Sequence, residues 1–444
     1  MVLRRFLKDR RGSVAPMFAL AVLPIVGLTG AAIDYSRANS IKTSMQAALD
    51  STSLAMAKLA PTLTTAQLQT QANAYFQALF NRTDATNVSI TTAYTTSSGT
   101  QLTITGSASI ATTFMNVMGY QSLDVGSSST VKWGNTRLRV ALVLDNTGSM
   151  NDYNKIGALK TATNSLLTQL KSAATNNGDV YVSIIPFVKD VNVGSSNYSA
   201  NWIDWTDWNA NNGSCSGGSG WGWGGNTQSS CSGTWTPDNH NTWNGCVTDR
   251  GNSTAPSSNN YDTNVIAPAT SNSATQFAAE QYGSCPQAVM SLNYDWTTMN
   301  TMVNNMVAAG NTNQAIGLAH GWMSLVGGGP YPTPPVMDPN YQYTQVIILL
   351  TDGLNTQDRW YTSQSSIDAR QQLTCNNINA AGITLYTIQV NTDGDPTSTL
   401  LQKCAGSPGK YPDSTKTFMV TASSGIATVF NQIGTNLSQL RVSK

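Results

Sequence analysis

Leu138-Arg139-Val140-Ala141-Leu142-Val143-Leu144-Asp145-Asn146-Thr147-Gly148-Ser149 joins an apolar run to a carboxylate and two hydroxyls. The run has the character of a buried strand. The loop that leaves it carries Asp145, Thr147 and Ser149 at alternate positions, so a tight turn eased by Gly148 lets them converge. Two later pieces share this chemistry. Thr312 lies in Gly310-Asn311-Thr312-Asn313, and Asp352 ends a second apolar run, Val346-Ile347-Ile348-Leu349-Leu350-Thr351-Asp352-Gly353. Hard oxygen donors of this kind suit magnesium, calcium or manganese rather than zinc.

Around these runs the chain alternates strand and helix. Strands are expected at 138–144, 180–188, 344–350, 383–390 and 417–420, and helices at 156–170, 367–381 and 426–440. Apolar strands alternating with helices imply an α/β fold over residues 136–444, a doubly wound, mostly parallel sheet covered on both faces. Ligands of such sheets bind in the crevice at the carboxyl ends of the strands, where Asp145 and Asp352 stand.

The preceding segment, residues 34–135, has another texture. Ile41, Met45, Ala48, Ala55, Met56 and Leu59 share one face of a helix expected at 34–59, and Leu68, Ala72, Phe76 and Leu79 mark a second. Alternating stretches at 88–92, 102–110 and 125–133 read as half-buried strands. Together they imply a small α+β module, whose first helix is expected to pack on its own domain.

Arg4, Arg5, Lys8, Arg10 and Arg11 form a basic tail at residues 1–13, ahead of 20 uncharged residues at 14–33. That length spans a bilayer once as a helix, with the positive flank in the cytoplasm and the rest exported. Pro16 and Pro24 would kink it without breaking it. A cleaved signal peptide is the competing reading, with Gly30-Ala31-Ala32 as its cleavage site, but its apolar core normally runs only about 7–15 residues. Arg4-Arg5-Phe6-Leu7-Lys8 is one residue short of twin-arginine spacing, and Met17 stands where a prepilin leader would carry glutamate.

Only 11% of the 444 residues are charged, against the usual quarter or so. Glu280 is the sole glutamate; Ser, Thr, Asn and Gly supply the polarity, which suits an extracytoplasmic surface. With 40% hydrophobic residues the chain is not a disordered one. A net charge of +1, with no basic stripe beyond the tail, implies no nucleic-acid partner.

From about residue 192 to about 289 the strand–helix pattern stops. This insertion is rich in Asn, Ser, Gly and Thr and holds seven of the chain's 11 Trp residues between Trp202 and Trp243. Those rings form either the insertion's own core or an exposed surface for a sugar or protein. The six cysteines, Cys215, Cys231, Cys246, Cys285, Cys375 and Cys404, are even in number and contain no CxxC pair. In an exported protein they suggest disulfides, with free buried thiols as the alternative. Cys375 and Cys404 are expected to pair; the pairing of the other four stays open.

A divalent ion such as magnesium takes roughly six oxygens. Asp145 and Asp352 would balance its charge, directly or through water, and Thr147, Ser149 and Thr312 would supply hydroxyl oxygens. One position would stay open for a partner's carboxylate. The competing reading is that Asp145 or Ser149 only opens the next helix. Asp352→Ala should weaken cation binding with little effect on the core. No catalytic residue is expected: the only histidines are His240 and His320, and neither a HExxH zinc motif nor a GxSxG nucleophile elbow occurs. His320 is expected to pack in a helix, and Asp393-Gly394-Asp395, followed by Pro396, reads as a turn.

Asp145, Thr147, Ser149, Thr312 and Asp352 resemble the metal-ion-dependent adhesion site of von Willebrand factor A domains, whose motif is Asp-x-Ser-x-Ser followed by Thr and Asp. This chain has Thr147 at the first serine. Arg10-Arg11-Gly12-Ser13-Val14-Ala15-Pro16-Met17-Phe18-Ala19-Leu20, Ala32-Ile33-Asp34-Tyr35-Ser36 and Ala47-Ala48-Leu49-Asp50 resemble the N-terminal segment of TadG-like pilus-assembly proteins. The resemblance covers nearly all the chain except the Trp-rich insertion. It implies a protein of the bacterial cell envelope with an inner-membrane anchor and a periplasmic or surface-exposed bulk. It also implies a divalent cation, magnesium first and calcium or manganese as substitutes. The implied partner is a protein offering an acidic residue, such as another pilus-assembly protein, in assembly or anchoring of a Flp (tight adherence) pilus. The alternative is a surface adhesin that grips host or matrix ligands through the A domain and its insertion.

Overall fold

Residues 14–33 are the beginning of one long helix, α1, Val14–Ala57, with Pro24 inside it. The computed structural model describes residues 14–96, 100–133, 136–174, 176–217, 227–253, 267–339 and 341–442, so the basic tail lies outside the described residues. Among the described residues no helix is long and apolar enough to cross a membrane. The expected span is therefore not recovered as a separate element: α1 runs through it into Asp34 and Arg37, and the side chains at 14–17, 19 and 23 fall outside the described set.

The chain divides into two compact units at residue 135. In the first, α2 is Thr65–Leu79, opened by a capping box in which Gln67 Oε1 accepts the Thr64 N–H at 3.0 Å. The strands β1 (Ala85–Thr95), β2 (Thr100–Ala111) and β3 (Ser122–Trp133) form an antiparallel sheet with β2 central. Ile41, Met45 and Leu49 of α1, Leu68, Ala72 and Phe76 of α2, and Leu102 and Ile104 of β2 build its core. The apolar face of α1 thus packs within its own unit, as its spacing implies. Leu59 departs from that face: it lies past the end of α1 and is 41% exposed.

The second unit is the α/β domain. In chain order it comprises β4 (Thr136–Asp145), α3 (Lys155–Ala173), β5 (Val180–Phe187), β6 (Val191–Asn192), β7 (Cys246–Val247), β8 (Met290–Asn293), α4 (Trp296–Asn305), α5 (Gln314–Val326), β9 (Gln342–Thr351), α6 (Gln364–Ala380), β10 (Thr384–Val390), β11 (Thr417–Val420) and α7 (Gly425–Val442). The sheet order is β7-β6-β5-β4-β9-β10-β11, with β8 on β5. Strands β5, β4, β9, β10 and β11 are parallel, whereas β6, β7 and β8 pair antiparallel. The mixed character comes from the insertion and the strand that follows it.

Side chains of β4 alternate between two cores. Leu138, Val140, Leu142 and Leu144 meet residues of α3, α4 and α7; Ala141 and Val143 meet α5 and α6. Residues 314–325 of α5 are all buried, which fits a helix apolar on every side. A Cβ at Gly321 would come within 2.6 Å of Val143, so only glycine lets this helix lie so close to the sheet.

The insertion is not a free-standing module. Val193, Ile203, Trp208, Trp243, Val247 and Phe277 belong to the same core as α5. Of the described tryptophans, Trp208 and Trp243 are buried and Trp205 stacks on His240 with ring centroids 3.8 Å apart, so these rings serve as core. Trp221 and Trp223 lie outside the described residues. All six cysteines pair: Cys375 with Cys404 as expected, Cys215 with Cys231 and Cys246 with Cys285.

His320 sits in α5 as a packing residue, its Nδ1 2.9 Å from the Tyr331 hydroxyl and its ring beside Phe277. Burial, and then the charge of Arg250, push it down to about 3. An unfolded histidine titrates near 6.5. Below that pH the unfolded chain takes up a proton that the folded chain refuses, down to about pH 3. The stability contribution is therefore fully present above pH 6.5 and falls by about 1.4 kcal/mol per pH unit beneath it. His320→Gln keeps a partner for Tyr331 and should lack this slope. Urea unfolding of both proteins at several pH values between neutrality and about 4 measures the difference, which should widen in favour of the variant as pH falls.

Candidate functional site

The parallel pairing of β4 with β9 matches Leu144 to Leu350, so Asp145 and Thr351 stand side by side at the strand ends. The Thr351 hydroxyl donates to Asp145 Oδ2 at 2.7 Å, and the Thr147 N–H donates to Oδ1 at 2.8 Å. Asp352 follows one residue later. Its Oδ1 accepts from the Ser149 hydroxyl at 2.8 Å, and Thr147 Oγ1 lies 3.2 Å from Ser149 Oγ. Asp145, Thr147, Ser149 and Asp352 therefore join in one hydrogen-bonded chain across two adjacent strand ends. The chain leaves β4 toward β5 on one side and meets β9 on the other, which is the switch point where such sheets bind ligands.

Thr312 borders this chain through its loop. The Gly148 N–H donates to the Gly310 carbonyl at 2.9 Å, and the Ala309 N–H to the Asn146 carbonyl at 2.7 Å. The Thr312 N–H donates to Thr356 Oγ1 at 2.8 Å. The Thr312 side chain itself is not part of the chain linking the other four. Helix capping does not explain the motif: the Ser149 hydroxyl goes to a carboxylate, and α3 begins without a side-chain cap.

The donor set fits a hard cation. Asp145 is fully buried, and burial followed by the charge of Asp352 pushes its carboxyl up to about 7. Two carboxylates confined together in this way repel, and a divalent ion relieves the repulsion. Among the described residues no group of three or more His, Cys, Asp and Glu side chains could hold a metal. Here two acids and neighbouring hydroxyls make up the set, the mixture that magnesium or calcium takes.

The structure adds a residue that the motif omits. Lys155, at the start of α3, is wholly buried; its Nζ lies 2.8 Å from Asp352 Oδ2 and also pairs with Asp393. Burial works against its charge, but Asp352 and Asp393 outweigh it and hold the ammonium above the ordinary lysine value. Sequence spacing gave no sign of it, because the carboxylates that offset a lysine at a helix N-terminus come from distant segments. Asp393, expected only in a turn, supplies one of them. Asp352 is thus an ion-pair partner of Lys155 as well as a candidate ligand, which bears on the expectation that Asp352→Ala has little effect on the core. Between Ser149 and α3, Tyr153 and Asn154 both adopt positive φ, at 51° and 55°, and Tyr153 is 68% exposed at the rim. Such strained backbone is held in place by its surroundings and clusters at functional sites.

His240 and His320 lie elsewhere. His240 Nε2 is 2.7 Å from Asn209 Oδ1 in the insertion, and His320 is bound to Tyr331.

Calorimetric titration with magnesium, calcium and manganese checks the assignment. Asp352→Ala should lose at least about tenfold in affinity, and its stability should fall by about 1–3 kcal/mol because Lys155 keeps only one partner. Lys155→Met removes a positive charge beside the site and should raise cation affinity by about tenfold. Unchanged heats in both variants would refute a metal at this position.

Comparison with known proteins finds two family models and a set of similar solved structures. The family model of Flp pilus-assembly TadE/G-like proteins matches residues 12–58, and that of the von Willebrand factor type A domain matches residues 259–432, a stretch containing Thr312 and Asp352 but not Asp145. No curated protein sequence matches. Similar solved structures include the pilus adhesin SpaC from Lactobacillus rhamnosus GG, at 13% identity and TM-score 0.36, covering 80% of this chain and 34% of that one. The chain thus spans about a third of the adhesin's length. The vWF domain of the type V pili tip protein Mfa5 from Porphyromonas gingivalis matches at 8% identity and TM-score 0.37, covering 69% of this chain and 97% of that one. Proximal thread matrix protein 1 from the mussel byssus, with a zinc-occupied MIDAS motif, matches at 11% identity and TM-score 0.32, covering 67% and 47%. The chain carries a TadE/G-like segment followed by a von Willebrand factor type A domain.

Proposed function

We propose that this is an envelope protein of a Flp (tight adherence) pilus system, held by residues 14–33 in the inner membrane, whose exported A domain binds a protein partner through a divalent cation. One observation carries the reading: Asp145, Thr147, Ser149 and Asp352 form a single hydrogen-bonded chain at the carboxyl ends of two neighbouring strands. Those residues, with Thr312 beside them, would hold the ion, which supplies a positive centre for an acidic side chain of the partner. The role is recognition: what these side chains do is hold charge, orient and bind. Magnesium is the first choice of ion.

Tyr153 is placed to touch that partner. It is an exposed aromatic beside the motif loop, and aromatic anchors of this kind often dominate interfaces. Tyr153→Asn keeps a residue that tolerates positive φ. It should weaken partner capture by about tenfold while leaving the cation titration unchanged.

A strain producing Asp352→Ala at normal levels should lack assembled pili, as seen by electron microscopy. Normal pili that fail to adhere would instead favour an adhesin. The adhesin reading has its own footing in a cavity of about 370 Å³ where the insertion meets the flanking chain, lined by Asp207, Trp208 and Glu280 of the insertion and by Lys189 and Arg359 outside it, among others. Deleting residues 195–285 is a poor test of it, because that segment supplies part of the core under α5.

A further inference from the structure

The turn between β2 and β3, residues 112–121, carries an unusual surface. Val117 is 87% exposed, Tyr120 63%, Met118 51% and Phe114 39%. The stretch Thr112-Thr113-Phe114-Met115-Asn116-Val117-Met118-Gly119-Tyr120-Gln121 contains no charged residue. It is fastened to α1. Asp34, itself 2% exposed, accepts the backbone N–H groups of Thr113, Phe114 and Met115 at 3.0, 2.8 and 2.8 Å. These bonds, that of Met115 first, hold its carboxyl below the usual aspartate range against the opposing effect of burial. Arg37 adds a bond to Thr113 Oγ1 at 3.2 Å.

The loop lies against the helix at a definite height. A Cβ on Gly30 would come within 2.4 Å of Phe114, and one on Gly27 would lie 3.5 Å from Met118 Sδ. Those positions precede Ile33, the last residue of the uncharged stretch, by three and six residues. At 1.5 Å per residue the loop therefore overlaps about 5–9 Å of that stretch. The helix surface there is apolar too: Ile25, Val26, Leu28 and Ile33 are each 49–74% exposed. A loop placed beside a bilayer-spanning helix at this height reaches the boundary between headgroups and acyl chains, the depth at which interfacial segments insert by about 5–10 Å.

We infer that residues 112–121 form a membrane wedge that inserts into the outer face of the bilayer and seats the first unit on it, with Asp34 as the positioning residue that clamps the wedge to α1. The inference rests on the reading of residues 14–33 as a membrane span. The occupant is lipid: the loop offers aromatic and aliphatic side chains with no charge, and its apolar surface is continuous with that of the helix.

All six native cysteines are in disulfides, so one added cysteine can be labelled alone. The full chain is reconstituted in phosphatidylcholine–phosphatidylglycerol vesicles with Val117→Cys, Met118→Cys, Leu20→Cys or Lys132→Cys, each carrying an environment-sensitive fluorophore. Labels at 117 and 118 should emit to the blue of the label at 132 and be quenched by lipids spin-labelled near the headgroup. The label at 20 should be quenched by lipids spin-labelled deep in the chain. Quenching at 20 without quenching at 117 or 118 overturns the wedge. No quenching at 20 overturns the span itself. Asp34→Asn, which retains an acceptor oxygen, should keep partial quenching at 117, whereas Asp34→Ala should lose it; a purely structural role for Asp34 would leave the 117 signal equal in both.

Discussion

Everything at the candidate site depends on the pairing of β4 with β9. Both strands are apolar through their middles, and both faces of the sheet are covered, so alternation alone does not specify how one slides against the other. The polar ends do. The Thr351 hydroxyl reaches Asp145 only when Leu350 lies beside Leu144, and that register puts Asp352 over the loop after Asp145. A slip of one residue would carry Asp352 away from Ser149 and break the chain of hydrogen bonds.

That register also creates an electrostatic problem, which the fold solves in two layers. Asp145 and Asp352 are confined together with little access to water. Lys155 offsets part of the charge from within α3, and Asp393, 35% exposed, shares that ammonium at the rim. A divalent cation would supply the remainder. Lys155 thus offsets part of this charge from within the fold and leaves net negative charge at the strand ends. A purely neutral site would need no cation, and a site without the lysine would confine its carboxylates with no internal counter-charge.

Much of this was legible in the sequence because strong patterns were backed by burial. The five parallel strands, α3, α6 and α7 follow apolar runs and helical spacing, and the three strands of the first unit follow alternation. The missing pieces share a cause. Helix α4, Trp296-Thr297-Thr298-Met299-Asn300-Thr301-Met302-Val303-Asn304-Asn305, is built largely from Thr and Asn, and only its packing of Met299, Met302 and Val303 on the sheet sustains it. Strands β6, β7 and β8 are too short to show a period. Within the site, the ligand candidates were legible because acids and hydroxyls clustered at run ends. Lys155 was not, because its partner Asp393 lies 238 residues away in sequence.

The insertion bears on the site more directly than its composition suggests. Its Tyr282 hydroxyl accepts the Asn311 N–H at 3.1 Å, and its Asp249 accepts two bonds from Asn313 Nδ2 at 3.0 and 3.2 Å. Both contacts flank Thr312. The Cys246–Cys285 disulfide ties β7 to the segment just after Tyr282, so this brace is covalently closed. The Thr312 loop is therefore held from two directions, by the motif loop through Gly310 and by the insertion through Tyr282 and Asp249. A change that loosened the insertion would reach the third hydroxyl donor while leaving Asp145 and Asp352 in place, since their partners all come from the β4 and β9 ends and from Lys155. The insertion is then a support for the Thr312 loop as well as part of the core under α5.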